Sequence, residues 1–171
     1  MSTNHILHEA WMARAMALAK YAESLGEVPV GAVAVLGHTI IGEGYNLPIK
    51  SCDPTAHAEI LALRMASRRL GNYRLNGVRL YVTLEPCAMC ATAMIHARID
   101  TLVFAAKDHK LGAAGSLMQL INNENFNHQA QIIEGVLQHQ ASSLLSDFFK
   151  KRREKIKAAK RQARLESGLD P

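Results

Sequence analysis

The chain has 171 residues, of which 49% are hydrophobic and 20% charged, and its formal net charge is +5. That length suits one domain with a full core, and no run of about 18 apolar residues is present to span a membrane. Three cysteines are too few for a disulfide framework, and the first residues lack the basic-then-apolar pattern of a secretory leader, so a reducing, cytoplasmic setting is expected.

In chain order, Trp11, Ala15, Leu18, Ala19 and Ala22 recur at helical spacing and predict a helix over 8–23. The β-branched run 28–35 and the run 39–45 flank Gly37 and His38 and predict a hairpin. A second helix is expected to open within 53–59, capped by Asp53 or Thr55 with Pro54 in its first turn, and to reach Ser67 or Leu70. A strand over 78–83, a helix from Pro86 to Ala97 and a strand over 101–105 follow. The Gly- and Asn-rich stretch 107–127 predicts a loop with a short helix. A strand over 131–134 and a long helix from near Val136 close the chain. This alternation predicts an α/β domain with helices layered on a mixed sheet.

The charge is uneven. Residues 150–164 hold nine Lys or Arg against Glu154 alone, a net of +8, whereas residues 1–149 come to −1. Such a cluster attracts polyanions, and it also suits a solvated tail. The division expected is a domain over 1–156 followed by a basic, frayed tail over 157–171.

The chemistry is carried by His57-Ala58-Glu59 and Pro86-Cys87-Ala88-Met89-Cys90. His57, Cys87 and Cys90 supply three zinc ligands, whereas a structural zinc site closes with four and a catalytic one leaves a position open. Cys87 and Cys90, three apart at a helix start, face one side, where the helix N-terminus favours the thiolate. Glu59 projects differently from His57 and is placed to move protons beside the metal without ligating it. Cys52, His96 and His109 are the candidates for a fourth ligand that would make the site purely structural. Zinc lowers the pKa of bound water from about 15.7 towards about 7, and a carboxyl tuned to about 6–7 is an effective proton shuttle. The pattern H-x-E…P-C-x-x-C is the signature of zinc nucleobase deaminases.

Beyond that signature the chain resembles the bacterial tRNA-specific adenosine deaminases. The likeness runs through segments 27–33 (Glu-Val-Pro-Val-Gly-Ala-Val), 42–46 (Gly-Glu-Gly-Tyr-Asn), 53–60, 81–90, 112–118 and 144–149. It implies a cytidine-deaminase-like three-layer α/β/α fold with a central mixed five-stranded sheet, and a homodimer with no organic cofactor. It implies hydrolytic conversion of the wobble adenosine of a tRNA, an arginine tRNA, to inosine. Carried over by residue, it places a single zinc ion on His57, Cys87 and Cys90 and the proton shuttle on Glu59. It has Asn46 contact the flipped nucleoside and Val30 and Leu84 line its pocket. Asp108, Phe149, Arg152 and Arg153 would meet the anticodon loop. Two rivals share the zinc residues: a deaminase of a free base or nucleoside such as guanine or cytosine, and a catalytically silent, zinc-stapled RNA-binding partner.

Overall fold

Alternation in the strands explains the layers. In β1 (Gly31–Leu36), Ala32 and Ala34 face one way and Val33 and Val35 the other, and all four are buried. β3 (Val78–Leu84) and β4 (Thr101–Ala106) repeat this, with Leu80, Val82, Leu102 and Phe104 on the first face and Tyr81, Val103 and Ala105 on the second. Strands apolar on both faces must be covered on both. With β2 (Thr39–Tyr45) and β5 (Gln131–Glu134) they form a sheet of order β2-β1-β3-β4-β5. β1 runs antiparallel to β2 and β3, and β3, β4 and β5 run parallel. The structure, a computed structural model, describes residues 3–166 and the side chains of 7–164.

α1 (Thr3–Ser24) and α5 (Gln138–Glu166) cover the face built on Val33, Tyr81 and Val103. α3 (Ala58–Leu70) and α4 (Ala88–Ala97) cover the opposite face. The result is the three-layer α/β/α arrangement around a mixed five-stranded sheet. Among the described residues no helix is long and apolar enough to cross a membrane.

The helices approach the sheet through glycine. A Cβ at Gly31 would collide with the carbonyl of Ala15 in α1, and one at Gly44 with the carbonyl of Ala58, the first residue of α3. The start of α3 therefore rests on the backbone of β2.

Several boundaries differ from those expected. α3 opens at Ala58, inside the expected 53–59, but neither Asp53 nor Thr55 caps it and Pro54 lies before its first turn: Asp53 spends its Oδ1 on the backbone N–H (2.8 Å) and hydroxyl (2.7 Å) of Thr55. His57 is the N-cap of α3 and Cys87 that of α4, so Pro86 lies before the helix. A four-residue helix, α2 (Pro48–Ser51), was not foreseen. The stretch 107–127 forms turns and isolated bridges, Cys87 with Gly112 and Ala114 with Gln119, and no helix. α5 passes through residue 156 without a break; residues 167–171 of the expected tail lie outside the described residues.

Candidate active site

The site forms where the C-terminal end of β3 meets the N-termini of α3 and α4, the usual crevice of parallel α/β sheets. His57 ends the turn before α3 and Cys87 the turn before α4. Neither side chain caps its own helix, so both are free to converge. His57 Nδ1 lies 3.7 Å from Cys87 Sγ and 3.6 Å from Cys90 Sγ. Tetrahedral zinc with Zn–S of about 2.3 Å and Zn–N of about 2.0–2.1 Å requires N···S separations of about 3.6 Å. The histidine nitrogen therefore stands at zinc-site spacing from both sulfurs. All three ligand atoms lie within 4.8 Å of one another, and among the described residues no further His, Cys, Asp or Glu joins them. Cys52, His96 and His109 thus do not close the site.

The donors polarise one another. The Cys87 thiol is brought down to about 4, first by the hydrogen bond from Cys90 and then, against burial, by that from His57. Cys90, fully buried, is pushed up by its hydrogen bond to Cys87 and by burial. The pair holds its negative charge on Cys87, beside two helix N-termini. His57 is raised, chiefly by its hydrogen bond to Cys87.

Glu59 sits in the first turn of α3, 4% exposed, and burial pushes its carboxyl up to about 7. A carboxyl that exchanges its proton near neutrality is what a shuttle needs.

Above this floor opens a cavity of about 590 Å³. His57, Glu59 and Cys87 reach into it, Val30, Asn46 and Leu84 line it, and Ile49, Asp108, Leu111 and Phe149 stand around it as well. Seven of the expected residues therefore share one cavity with Glu59, Cys90 lying buried outside its lining, while Arg152 lines a neighbouring groove with Ile49, Phe148 and Lys155. Arg153 lines neither cavity and is exposed on α5.

Asn46 is held twice. Its N–H donates to Val30 O (3.0 Å), and its Oδ1 accepts from the N–H of Ala58 (3.0 Å). With His57 offering no cap, Asn46 caps α3 from twelve residues away, and this leaves its Nδ2 as the remaining donor. Asp108 is similarly engaged: its Oδ1 accepts from the N–H groups of Lys110 (2.9 Å) and Leu111 (3.2 Å), shaping the turn at the mouth.

Two buried acids were not singled out from sequence. Glu85, 2% exposed, accepts from the N–H groups of Asp108, Ala114 and Ser116, each at 3.0 Å, and from the Ser116 hydroxyl. Glu27, 1% exposed, accepts from the N–H of Lys50 (2.8 Å) and so caps α2, whose own N-cap Leu47 has no side-chain acceptor. Each fastens one rim of the cavity. The available signal was a lone acid at the edge of an apolar run, in Thr83-Leu84-Glu85 and in Glu27-Val28-Pro29-Val30.

A sheet of this topology over a His-Cys-Cys cluster with a buried, non-ligating glutamate defines a zinc-dependent hydrolytic deaminase. In agreement, residues 6–106 match the model of the cytidine and deoxycytidylate deaminase zinc-binding region. The chain belongs to the tRNA-specific adenosine deaminase family. It is 52% identical over 153 residues to the tRNA-specific adenosine deaminase of Haemophilus influenzae, covering 89% of this chain and 88% of that protein. A structure solved in a study of A-to-I editing by tRNA:A34 deaminases at the wobble position superposes with a TM-score of 0.77 at 40% identity, covering 80% of this chain and 99% of the other. Guanine deaminase from Bacillus subtilis is also similar, with a TM-score of 0.58 at 41% identity over 64% of this chain and 70% of the other.

Proposed function

We propose that this protein hydrolyses the wobble adenosine in the anticodon loop of a tRNA, an arginine tRNA, to inosine. The observation that carries the chemistry is the zinc-spaced cluster with Glu59 buried beside it at the floor of a mostly apolar cavity. His57, Cys87 and Cys90 would hold the zinc, which when bound would supply an activated water at neutral pH. Glu59 takes a proton from the attacking water and delivers it to the adenine ring nitrogen. It then takes the second proton from the new C6 hydroxyl and passes it to the exocyclic amine, so that C6 keeps the water oxygen as a carbonyl and ammonia departs. Adenosine and water thus become inosine and ammonia.

The cavity's shape supports a flipped-out nucleoside. Val30 and Leu84 pack against the base, and Asn46 donates from Nδ2 to the nucleoside. Phe149 and Asp108 at the rim, with Arg152 and Arg153 beyond it, meet the flanking loop. A loop nucleotide is already unpaired, which lowers the cost of extruding it.

The protein acts as a homodimer in the cytoplasm. Exposed Leu111, Leu117 and Met118 provide apolar surface for a second copy. Light scattering at micromolar concentration checks the dimer.

The decisive assay offers the purified zinc protein an arginine tRNA with adenosine at the wobble position, its anticodon stem-loop, and free guanine, cytidine and adenosine. Inosine at the wobble position, read by sequencing, is the expected result. Turnover of a free base with none on RNA would establish the small-molecule alternative. Full zinc loading without ammonia release from any substrate would establish a silent RNA-binding protein.

A further inference from the structure

The C-terminal half of α5 has no apolar face to bury. Residues 149–164 are exposed throughout, and Glu154 is the only acid among 150–164. A helix polar all round is held by favourable side-chain pairs or by a partner. Here like-charge pairs predominate: Arg153 with Lys157, Lys157 with Arg161 and Lys160 with Arg164 are like charges four apart, each costing about 0.2–0.5 kcal/mol, against Lys150 with Glu154 as the one opposite-charge pair at that spacing.

The cations are also sorted by face. Lys150, Arg153, Lys157, Lys160 and Arg164 alternate in steps of three and four, which at about 100° per residue confines them, with Arg161, to about 100° of arc over roughly 21 Å. Buried Ala141 and Phe148 and half-buried Leu144 and Leu145 lie on the other side of the helix. Lys151, Arg152 and Lys155 share that body side: they line the groove by Ile49, and Lys151 pairs with Glu23 at 3.3 Å. Lys150, Arg153, Lys157 and Lys160 form no salt bridge among the described residues. The stripe starts beside Phe149, which lines the cavity.

We propose that this stripe is a rail for phosphates: it runs from the cavity along the stem of the RNA whose loop nucleotide the cavity accepts. The proposal rests on the RNA reading above and extends it from the loop to the stem. A line of cations about 4.5–6 Å apart offers a phosphate strand successive partners, and the strand relieves their mutual repulsion.

The test compares the full chain with K157A/K160A and with K157A/A158K/A159K/K160A, which keeps the net charge but moves it off the stripe. Substrates are intact tRNA and an anticodon stem-loop whose stem is cut to a few base pairs. On intact tRNA both variants should lower the slope of log Kd against log salt by roughly 2, at about 0.9 per phosphate contact, with kcat unchanged. On the shortened stem-loop all three proteins should behave alike. A relocated-charge variant with the wild-type slope would overturn the rail, since position would not matter. A wild-type protein that turns over a free base and no RNA would remove the reading on which the rail stands.

Discussion

Replacing Glu85 by Gln tests how the cavity's outer wall is held. Oε1 of Glu85 serves the N–H groups of Ala114 and Ser116, and Oε2 serves the N–H of Asp108 and the Ser116 hydroxyl. Burial pushes this carboxyl up, but the hydrogen bonds from Ser116, Asp108 and Ala114 outweigh it and hold it below the usual Glu value. Glutamine keeps the shape and one oxygen. Its NH2 then faces donors on the other side, and only the Ser116 hydroxyl can turn to accept. One N–H loses its acceptor and another bond weakens. At about 1.5–3 kcal/mol for each bond to a charged group, E85Q should cost about 3 kcal/mol. For a chain of this size that lowers Tm by about 6–12 °C. Urea unfolding of the zinc-loaded protein measures the total, and hydrogen exchange at Asp108, Ala114 and Ser116 localises it. Wild-type stability with wild-type protection at those amides would refute the idea that Glu85 holds the loop.

Glu59→Gln should retain zinc, measured by atomic absorption, and lower kcat by about 10²–10⁴; wild-type turnover would exclude Glu59 as the shuttle. Cys87→Ala or Cys90→Ala should lose both zinc and activity, and a strong chelator should reproduce the loss in the wild type. Asn46→Ala removes the cap of α3 and should cost about 1 kcal/mol, whereas Asn46→Asp keeps an acceptor for Ala58 and should recover stability but not substrate affinity. Arg14 holds Glu43 below the usual Glu value through bonds at 2.6 and 3.0 Å, so the pair stabilises above that value and its contribution fades as pH falls through the lowered pKa. With both groups partly solvated, Arg14→Ala should cost about 0.5–1 kcal/mol at pH 7 and nothing in strong acid, as thermal melts at the two pH values will show.

The parts legible in the sequence were those governed by local rules. The β1–β2 hairpin follows from two β-branched runs around Gly37, which adopts a positive φ of 61° at the turn. The zinc donors follow from spacing, because residues three apart at a helix start share a face. What was missed depends on partners far along the chain. α2 is too short to announce itself, and its cap, Glu27, lies 23 residues from the N–H that it accepts. The 107–127 stretch carries no helix because its backbone donors at 108, 114 and 116 turn to Glu85. Asp53 had the identity of a cap but spent its oxygen on Thr55, and Asn46 capped α3 in its place. α5 runs to Glu166 through a stretch rich in the strong helix formers Ala, Lys and Arg, a local signal that was legible in the sequence.

The contact of Gly44 with the carbonyl of Ala58 gives the hairpin authority over the metal. With no side chain between them, β2 acts as a hard stop against which the N-terminus of α3 is indexed, and a slip of one residue would turn His57 and Glu59 by about 100°. Length changes should therefore be tolerated at the tip around Gly37 and His38, which points away from this stop, and rejected between Gly44 and Ala58. Homologues that vary in size are expected to spend their insertions elsewhere and keep that interval at a fixed count.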